Sequence, residues 1–318
     1  TLEKGFNGRK SSFVRLSDFV GAKQQGPRAL EIIDAHNNEQ SAYSDMRKHF
    51  FEVDQREFAQ IPGSPIVYWA NESIIHAFSE FNSMAVFSPC KGLVTTDNNR
   101  YLRFWFEVSN ENIKTGIKTQ DYFLAHSIDD AKKSGFKWFP YNKGGDYRKW
   151  YGNNEYIINW FNNGAEIKKA IIEKYHGGSY TKEIRNEARY FEDSITWSAL
   201  TCGSPSFRDS THGAIFDSAG SSMFPSAKDR TVVLGILNSS TINSMLQMIN
   251  PTLNYGAGSV SDLPVCSFDA ENNSQITQDC IAVSKTDWDS FEASWDFQKS
   301  ALLDGDQGAR PGDSLGEA

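Results

Sequence analysis

The sequence is most usefully read first for what is missing. Nowhere in its 318 residues is there a run of about eighteen apolar side chains, so no membrane-crossing helix is expected. Only four cysteines occur, Cys90, Cys202, Cys266 and Cys280, and none stands in C-x-x-C spacing. That excludes a zinc-ribbon pattern or a disulfide framework and fits reduced thiols in a cytoplasmic protein, with no signal-peptide pattern in view. The histidines His36, His49, His76, His126, His176 and His212 form no H-E-x-x-H or other paired metal spacing, so no metal is expected. The G-x-S-x-G pattern of serine hydrolases is missing too. Ser204 lies in Cys-Gly-Ser-Pro-Ser, where Pro205 stiffens the turn. Glu192 and Asp193 are not followed by the D-x(n)-E-x-K arrangement of a nuclease. There is no repeat of fixed period. No catalytic residue is assigned.

What is present is a folded, acidic chain with one basic island. Hydrophobic residues make up 39% and aromatics 13%, a globular composition, and the net charge is -8. The length is comfortable for two domains. Against that acidic background, Phe136 to Trp160 reads FKWFPYNKGGDYRKWYGNNEYIINW. Between Lys132 and Lys149 six Lys or Arg face one acid, Asp146. Lys137, Lys143, Arg148 and Lys149 are interleaved with rings that include Tyr141 and Trp150, around the Gly144-Gly145 pair. Cations neutralise phosphates, rings stack on bases, and glycines let backbone amides come close, so the pattern suits a nucleic acid. The same rings would equally serve as core packing.

A second segment, Lys91 to Val108, reads KGLVTTDNNRYLRFWFEV. Thr95, Thr96, Asn98, Asn99 and Arg100 form a polar turn that leads into an expected strand, Tyr101 to Val108. Amides, hydroxyls and a guanidinium read base edges and grip phosphates, although a plain hairpin turn has the same composition.

Elsewhere, strands are expected at Phe13 to Leu16 and at Phe19-Val20, and a further strand is expected to end at Pro62-Gly63. Helices are expected over 27–36, 72–81, 166–175, 181–191 and 239–249. The third of these is opened by Asn163-Gly164 and closed by Gly177-Gly178. Short strands and Gly/Ser/Pro turns alternate from Ile195 to Pro225. Asp121 to Leu124 is too short to assign. The last fifteen residues have a disorder-like composition. The expected class is α+β, with short, mixed or antiparallel strands flanked by helices.

The two segments together resemble the target-recognition part, in the C-terminal region, of the BREX-system adenine-specific DNA methyltransferases called PglX. Further stretches carry the resemblance: Ile61-Pro62-Gly63-Ser64-Pro65 with Val67-Tyr68-Trp69, Ile195-Thr196-Trp197-Ser198, Phe216 to Pro225, Leu234 to Ile249, and Thr286 to Phe291. It runs from about Phe13 to Phe297. It implies duplex DNA as partner, S-adenosylmethionine as cofactor of the complete protein, and contact with other BREX components but not with a membrane. Residues 1–82 would then join a methyltransferase domain, 83–270 would read DNA, and 271–318 would begin a C-terminal helical region with an acidic tail.

The departures from the family pattern are specific. An Asn-Pro-Pro-Tyr motif, which holds a flipped adenine, and a glycine-rich turn for S-adenosylmethionine are both missing. Asn250-Pro251-Thr252-Leu253 and Gly256-Ala257-Gly258 are the nearest imitations, and both read as loop punctuation. The expectation is therefore a recognition segment that is inactive alone, with no cofactor of its own. Within it Thr95, Thr96, Asn98, Asn99 and Arg100 would read bases, and Lys137, Lys143, Arg148 and Lys149 would grip the backbone. Tyr141, Trp150 and Trp197 would stack or support, with Thr196 and Ser198 as weaker site residues. The alternative is a scaffold whose exposed aromatics dock other defence proteins.

Overall fold

The computed structural model describes residues 10–108, 125–265 and 270–300, with side chains at 270–272 left undescribed. The expected features at Asp121 to Leu124, at Cys266 and in the last fifteen residues lie outside the described residues. The chain divides into two compact units, Thr1–Asn82 and Ser83–Ala318, and its class is α+β.

In the first unit β1 (Ser11–Val14) pairs antiparallel with β2 (Phe50–Val53), with Ser11 opposite Val53 and Val14 opposite Phe50. Between them lies α1 (Ala22–Asn37). This helix starts five residues before Pro27, where the sequence had placed its beginning. The proline has no amide to give, so its cost is a single lost helical bond, which the buried Ile32 and Ala35 offset. No strand forms at Phe19-Val20. The strand expected before Pro62 is instead a 3-10 helix, Gln55–Gln60, because Asp54 caps it by accepting the Arg56 amide. Phe13 stacks on Tyr68 at 4.7 Å and meets Phe58 edge-on at 6.0 Å, closing a small aromatic core. The helix α2 (Glu72–Glu80) follows, capped by Asn71 and burying Ile75 and Ala77.

The second unit is built on two sheets. Short α3 (Asn98–Tyr101) runs directly into β3 (Leu102–Phe104). After α4 (Ile128–Ser134) come β4 (Trp138–Asn142), β5 (Tyr156–Asn159) and α5 (Phe161–Lys174). Then follow β6 (Ser194–Trp197), β7 (Phe207–Ser210), β8 (Ile215–Phe216) and β9 (Ser222–Met223). The helices α6 (Ala227–Leu237), α7 (Ser240–Ile249), α8 (Ala257–Ser261) and α9 (Ala270–Asp289) complete the unit, with α9 packed on α6.

One sheet has the order β3-β5-β4-β8, antiparallel except for the β4–β8 pair, and the other has the order β7-β6-β9. Pro140 sits in β4 one residue before the pairing to β8 starts at Tyr141, so its missing amide breaks no bond on that side. The strand is buried throughout. Phe139 and Tyr141 face the main core with Trp160, Tyr190 and Phe216, while Trp138 turns to Ile157, Trp105 and Trp295 on the other side. Two glycines let the sheets meet closely. A Cβ on Gly92 would lie 1.9 Å from the Phe216 carbonyl oxygen, and one on Gly220 would lie 2.2 Å from that of Asn142. The strap Cys90–Leu93 bonds both sheets: Cys90 exchanges bonds with Ser222 at 2.9 and 3.1 Å, and Leu93 donates to Phe216 at 2.9 Å.

In α5 the first residues Asn162, Asn163 and Gly164 are left-handed (φ 50, 59 and 67), so regular helix begins after the expected Asn-Gly opening. The helix expected over 181–191 is corrected to two 3-10 turns, Tyr180–Lys182 and Glu187–Arg189, separated by a left-handed Asn186. The strand expected over 101–108 ends at Phe104. There a 3-10 turn starts, closed by the Glu107 carboxylate, which accepts the Phe104 amide at 2.7 Å.

Candidate nucleic-acid interface

Among the described residues β3 is an edge strand, and side chains of the two singled-out segments share a concave surface beside it. A concavity of about 380 Å³ is lined by Asn98, Asn99, Leu102, Arg103, Phe104, Glu107, Lys143 and Tyr156. The first six come from the Lys91–Val108 segment, and the last two come from the basic island. Arg103 Nη1 donates to the Asn99 and Leu102 carbonyls, both at 2.6 Å, fixing the α3 turn beside the strand. Lys143 holds its ammonium 4.6 Å from the centre of the Tyr156 ring, and among the described residues it makes no ion pair. Its charge also reaches Asp217. Burial raises that carboxyl from its ordinary value, while the Ala219 amide, the Tyr141 hydroxyl and Lys143 pull it back.

A ladder of rings runs along this edge. Phe104 stacks on Tyr156 at 4.7 Å and on Phe106 at 5.2 Å, the latter pair within 4° of parallel. Phe104 is 36% and Phe106 57% exposed, which is unusual for two adjacent stacked phenylalanines. Trp105 braces Phe106 edge-on and is itself stacked on Trp295, with its indole N–H donated to the Ala293 carbonyl at 2.9 Å.

The expected base-reading turn is only partly outward. Thr95 is buried, and its hydroxyl is donated to the Asn98 side-chain oxygen. Thr96 is exposed and left-handed (φ 63). Asp97 caps α3 through the Arg100 amide, so Asn98 and Asn99 stand exposed on its first turn. Arg100 is exposed but committed: its guanidinium meets Glu166 at 2.7 Å, and Asn159 holds the other oxygen of that carboxylate.

The expected backbone grips separate more sharply. Lys137 is exposed, 5.5 Å over the Trp138 ring. Arg148 is corrected from phosphate grip to internal brace. It pairs with Asp287, donates to the Tyr151 carbonyl at 3.2 Å and lies 4.9 Å over Trp288. Lys149 is likewise spent, donating to the Asn238 carbonyl at 2.8 Å where burial lowers its pKa. Among the stacking expectations, Tyr141 and Trp197 have no accessible ring. Tyr141 is buried and donates to Asp217 at 2.6 Å, and Trp197 is buried and donates to the Tyr255 carbonyl at 2.8 Å. Both support from within. Trp150 is partly exposed but lines a different surface, an apolar groove with Ile276, Cys280 and Val283. Thr196 and Ser198 are buried and bond to the Ser221 and Gly145 carbonyls.

Four residues of this edge escaped the sequence reading: Arg103, Phe104, Phe106 and Tyr156. The run of rings Phe104-Trp105-Phe106 beside Arg103 was the available signal. Arg208 was missed as well. It is fully buried, donates to Ser198, Ser206 and the Arg148 carbonyl, and has its pKa lowered to about 10 by burial despite nearby Glu155.

The described residues do not fit S-adenosylmethionine. Gly256-Ala257-Gly258 opens the five-residue α8 with no strand leading into it. Asn250 cannot cradle an adenine amine, because its carbonyl oxygen accepts from Thr252 and its amide donates to Asn254. Among the described residues no His/Cys/Asp/Glu group could hold a metal, and no single helix is long and apolar enough to cross a membrane.

This edge carries exposed rings, exposed amides and a lysine that makes no ion pair among the described residues, and the relatives of this chain are methyltransferases. It is 34% identical over 305 residues, 94% of its length, to the adenine-specific methyltransferase PglX of Lacticaseibacillus casei (strain Zhang). Over 256 residues, 79% of its length, it is 36% identical to the adenine-specific methyltransferase BrxX of Escherichia coli O9:H4 (strain HS). The chain spans 23% and 19% of the length of those two relatives, and is thus homologous to a part of each. No family profile matches it.

Proposed function

We propose that this chain is the DNA target-recognition segment of a BREX adenine-specific methyltransferase. It holds duplex DNA in the cytoplasm while another part of the longer protein, carrying S-adenosylmethionine, methylates one adenine. The supporting observation is the meeting of Asn98, Asn99, Arg103 and Lys143 on one concave surface beside exposed rings. Paired amides suit the N6/N7 edge of adenine, and cations around them suit the flanking phosphates. The homology supports the methyltransferase context. Thr96 and Lys137 extend the contact surface.

The test is fluorescence anisotropy with duplex DNA at two salt concentrations. Lys143→Ala weakens binding to all sequences and lowers the salt slope by about one, whereas Lys149→Ala leaves the slope unchanged. Asn98→Ala or Asn99→Ala costs about 1 to 3 kcal/mol on target and relaxes preference at one base pair. Equal slopes for Lys143→Ala and the parent chain would overturn the site.

A second reading, a docking scaffold, draws on the groove of Trp150, Cys280 and the exposed Ile276 and Val283 on α9. Such a surface would bind another defence protein with little dependence on salt. A chain that shows no salt-dependent affinity for DNA would favour it.

A further inference from the structure

We infer that the ring ladder of Phe104, Phe106 and Tyr156 is a platform for an unpaired nucleobase. The inference rests on the DNA-binding reading and goes further, because it names the state of the DNA that the edge accepts. In an intact duplex each base is already stacked on its neighbours, and only its edges face the grooves. Rings that lie flat and open therefore have nothing to stack on in B-form DNA. An extrahelical or single-stranded base, by contrast, offers a whole face.

The geometry matches that demand in three ways. Phe104 and Phe106 are near-parallel at 5.2 Å, and Phe106 is more than half exposed, so the end of the ladder is open for one more flat ring. Trp105 holds Phe106 from the side, which fixes the platform before any ligand arrives. Beside the Phe104 and Tyr156 rings of the ladder, a concavity that Phe106 does not line carries the polar groups a nucleotide needs. Asn98 and Asn99 offer amides for a base edge, Lys143 offers a cation for the phosphate, and the Glu107 carboxylate can accept from an exocyclic amino group.

Three DNA probes of one sequence test this at one salt concentration: a perfect duplex, the same duplex with one bulged nucleotide, and the single strand. With 2-aminopurine as the bulged base, its fluorescence reports stacking. The expected result is about tenfold tighter binding of the bulged duplex than of the perfect one, with quenching on binding. Phe106→Ala abolishes both the advantage and the quenching, and Phe106→Trp retains them. Because Phe106 is exposed, this variant keeps the test sound if Phe104→Ala fails to fold. Equal affinity for the two duplexes, or an advantage that survives Phe106→Ala, overturns the inference while duplex binding itself stands. If none of the probes binds, both the inference and the recognition reading fall.

Discussion

β4 and β3 have nearly the same vocabulary: rings set beside cations, in strands of one sheet. Their fates are opposite. β4 lies between β5 and β8, and both its faces are packed, Phe139 and Tyr141 against the main core and Trp138 against Trp105 and Trp295. Among the described residues β3 has a strand neighbour on one side only, and Phe104 at its end and Phe106 in the turn that follows stay partly in solvent. Position in the sheet, not composition, decides whether an aromatic run is structure or surface. The same holds for the cations. Arg148 and Lys149, at the centre of the basic island, have buried or paired heads, whereas Lys143 at its margin reaches the open concavity.

The comparison is broken most directly by truncating one ring of β4 and one ring of the turn that ends β3. Tyr141→Ala removes a buried ring and leaves Asp217 without its hydroxyl donor, with an expected loss of about 3 to 5 kcal/mol. Phe106→Ala is expected to change stability by less than about 0.5 kcal/mol. Urea midpoints at constant slope measure both, and similar losses would mean that β3 belongs to the core after all.

An acid titration sharpens the interior half of the comparison. His212, between β7 and β8, is half-buried with its Nε2 shielded from solvent and unpartnered among the described residues, and desolvation lowers its pKa from 6.5 to about 4. The fold thus favours the neutral ring. Its contribution is fully present above about pH 6.5 and is lost as pH falls towards 4, by an amount on the order of a few kcal/mol. Melting temperature should fall across that window, and His212→Asn should flatten this part of the profile. A profile that is the same in parent and variant would assign the acid sensitivity to other groups.

The smallest effect is expected at the surface pair. Arg100 and Glu166 are 56% and 45% exposed, so Arg100→Ala should barely lower stability, and less still in high salt. A larger loss in a thermal melt would mean that the pair anchors α3 rather than decorating it.

Much of the local structure was legible because it rests on local chemistry. Asn71, Asn163-Gly164 and Ser239 start helices by capping or left-handed turns that nearby residues dictate, and Ile242, Met245 and Leu246 face inward at helical spacing. What could not be read was anything set by distant partners. The burial of Tyr141 depends on β8, more than seventy residues downstream in sequence, and Arg148 is tied by Asp287 on α9. The expected 181–191 helix failed because Asn186 takes a left-handed turn that its periodicity does not reveal. For the candidate interface, Asn98, Asn99 and Lys143 were named from residue chemistry, while Arg103, Phe104, Phe106 and Tyr156 needed the sheet order.

The strap Cys90–Leu93 has one more effect. It is sewn to both sheets by main-chain bonds, with Gly92 pressed against a carbonyl where no side chain fits, and it leads straight to the turn bearing Asn98 and Asn99. The strap therefore helps fix the address of those two amides, together with the Asp97 cap and the Arg103 bond to the Asn99 carbonyl. Exchanging the side chain at 99 leaves this pedestal untouched, so a new letter can be set in the same type-holder without recasting the press.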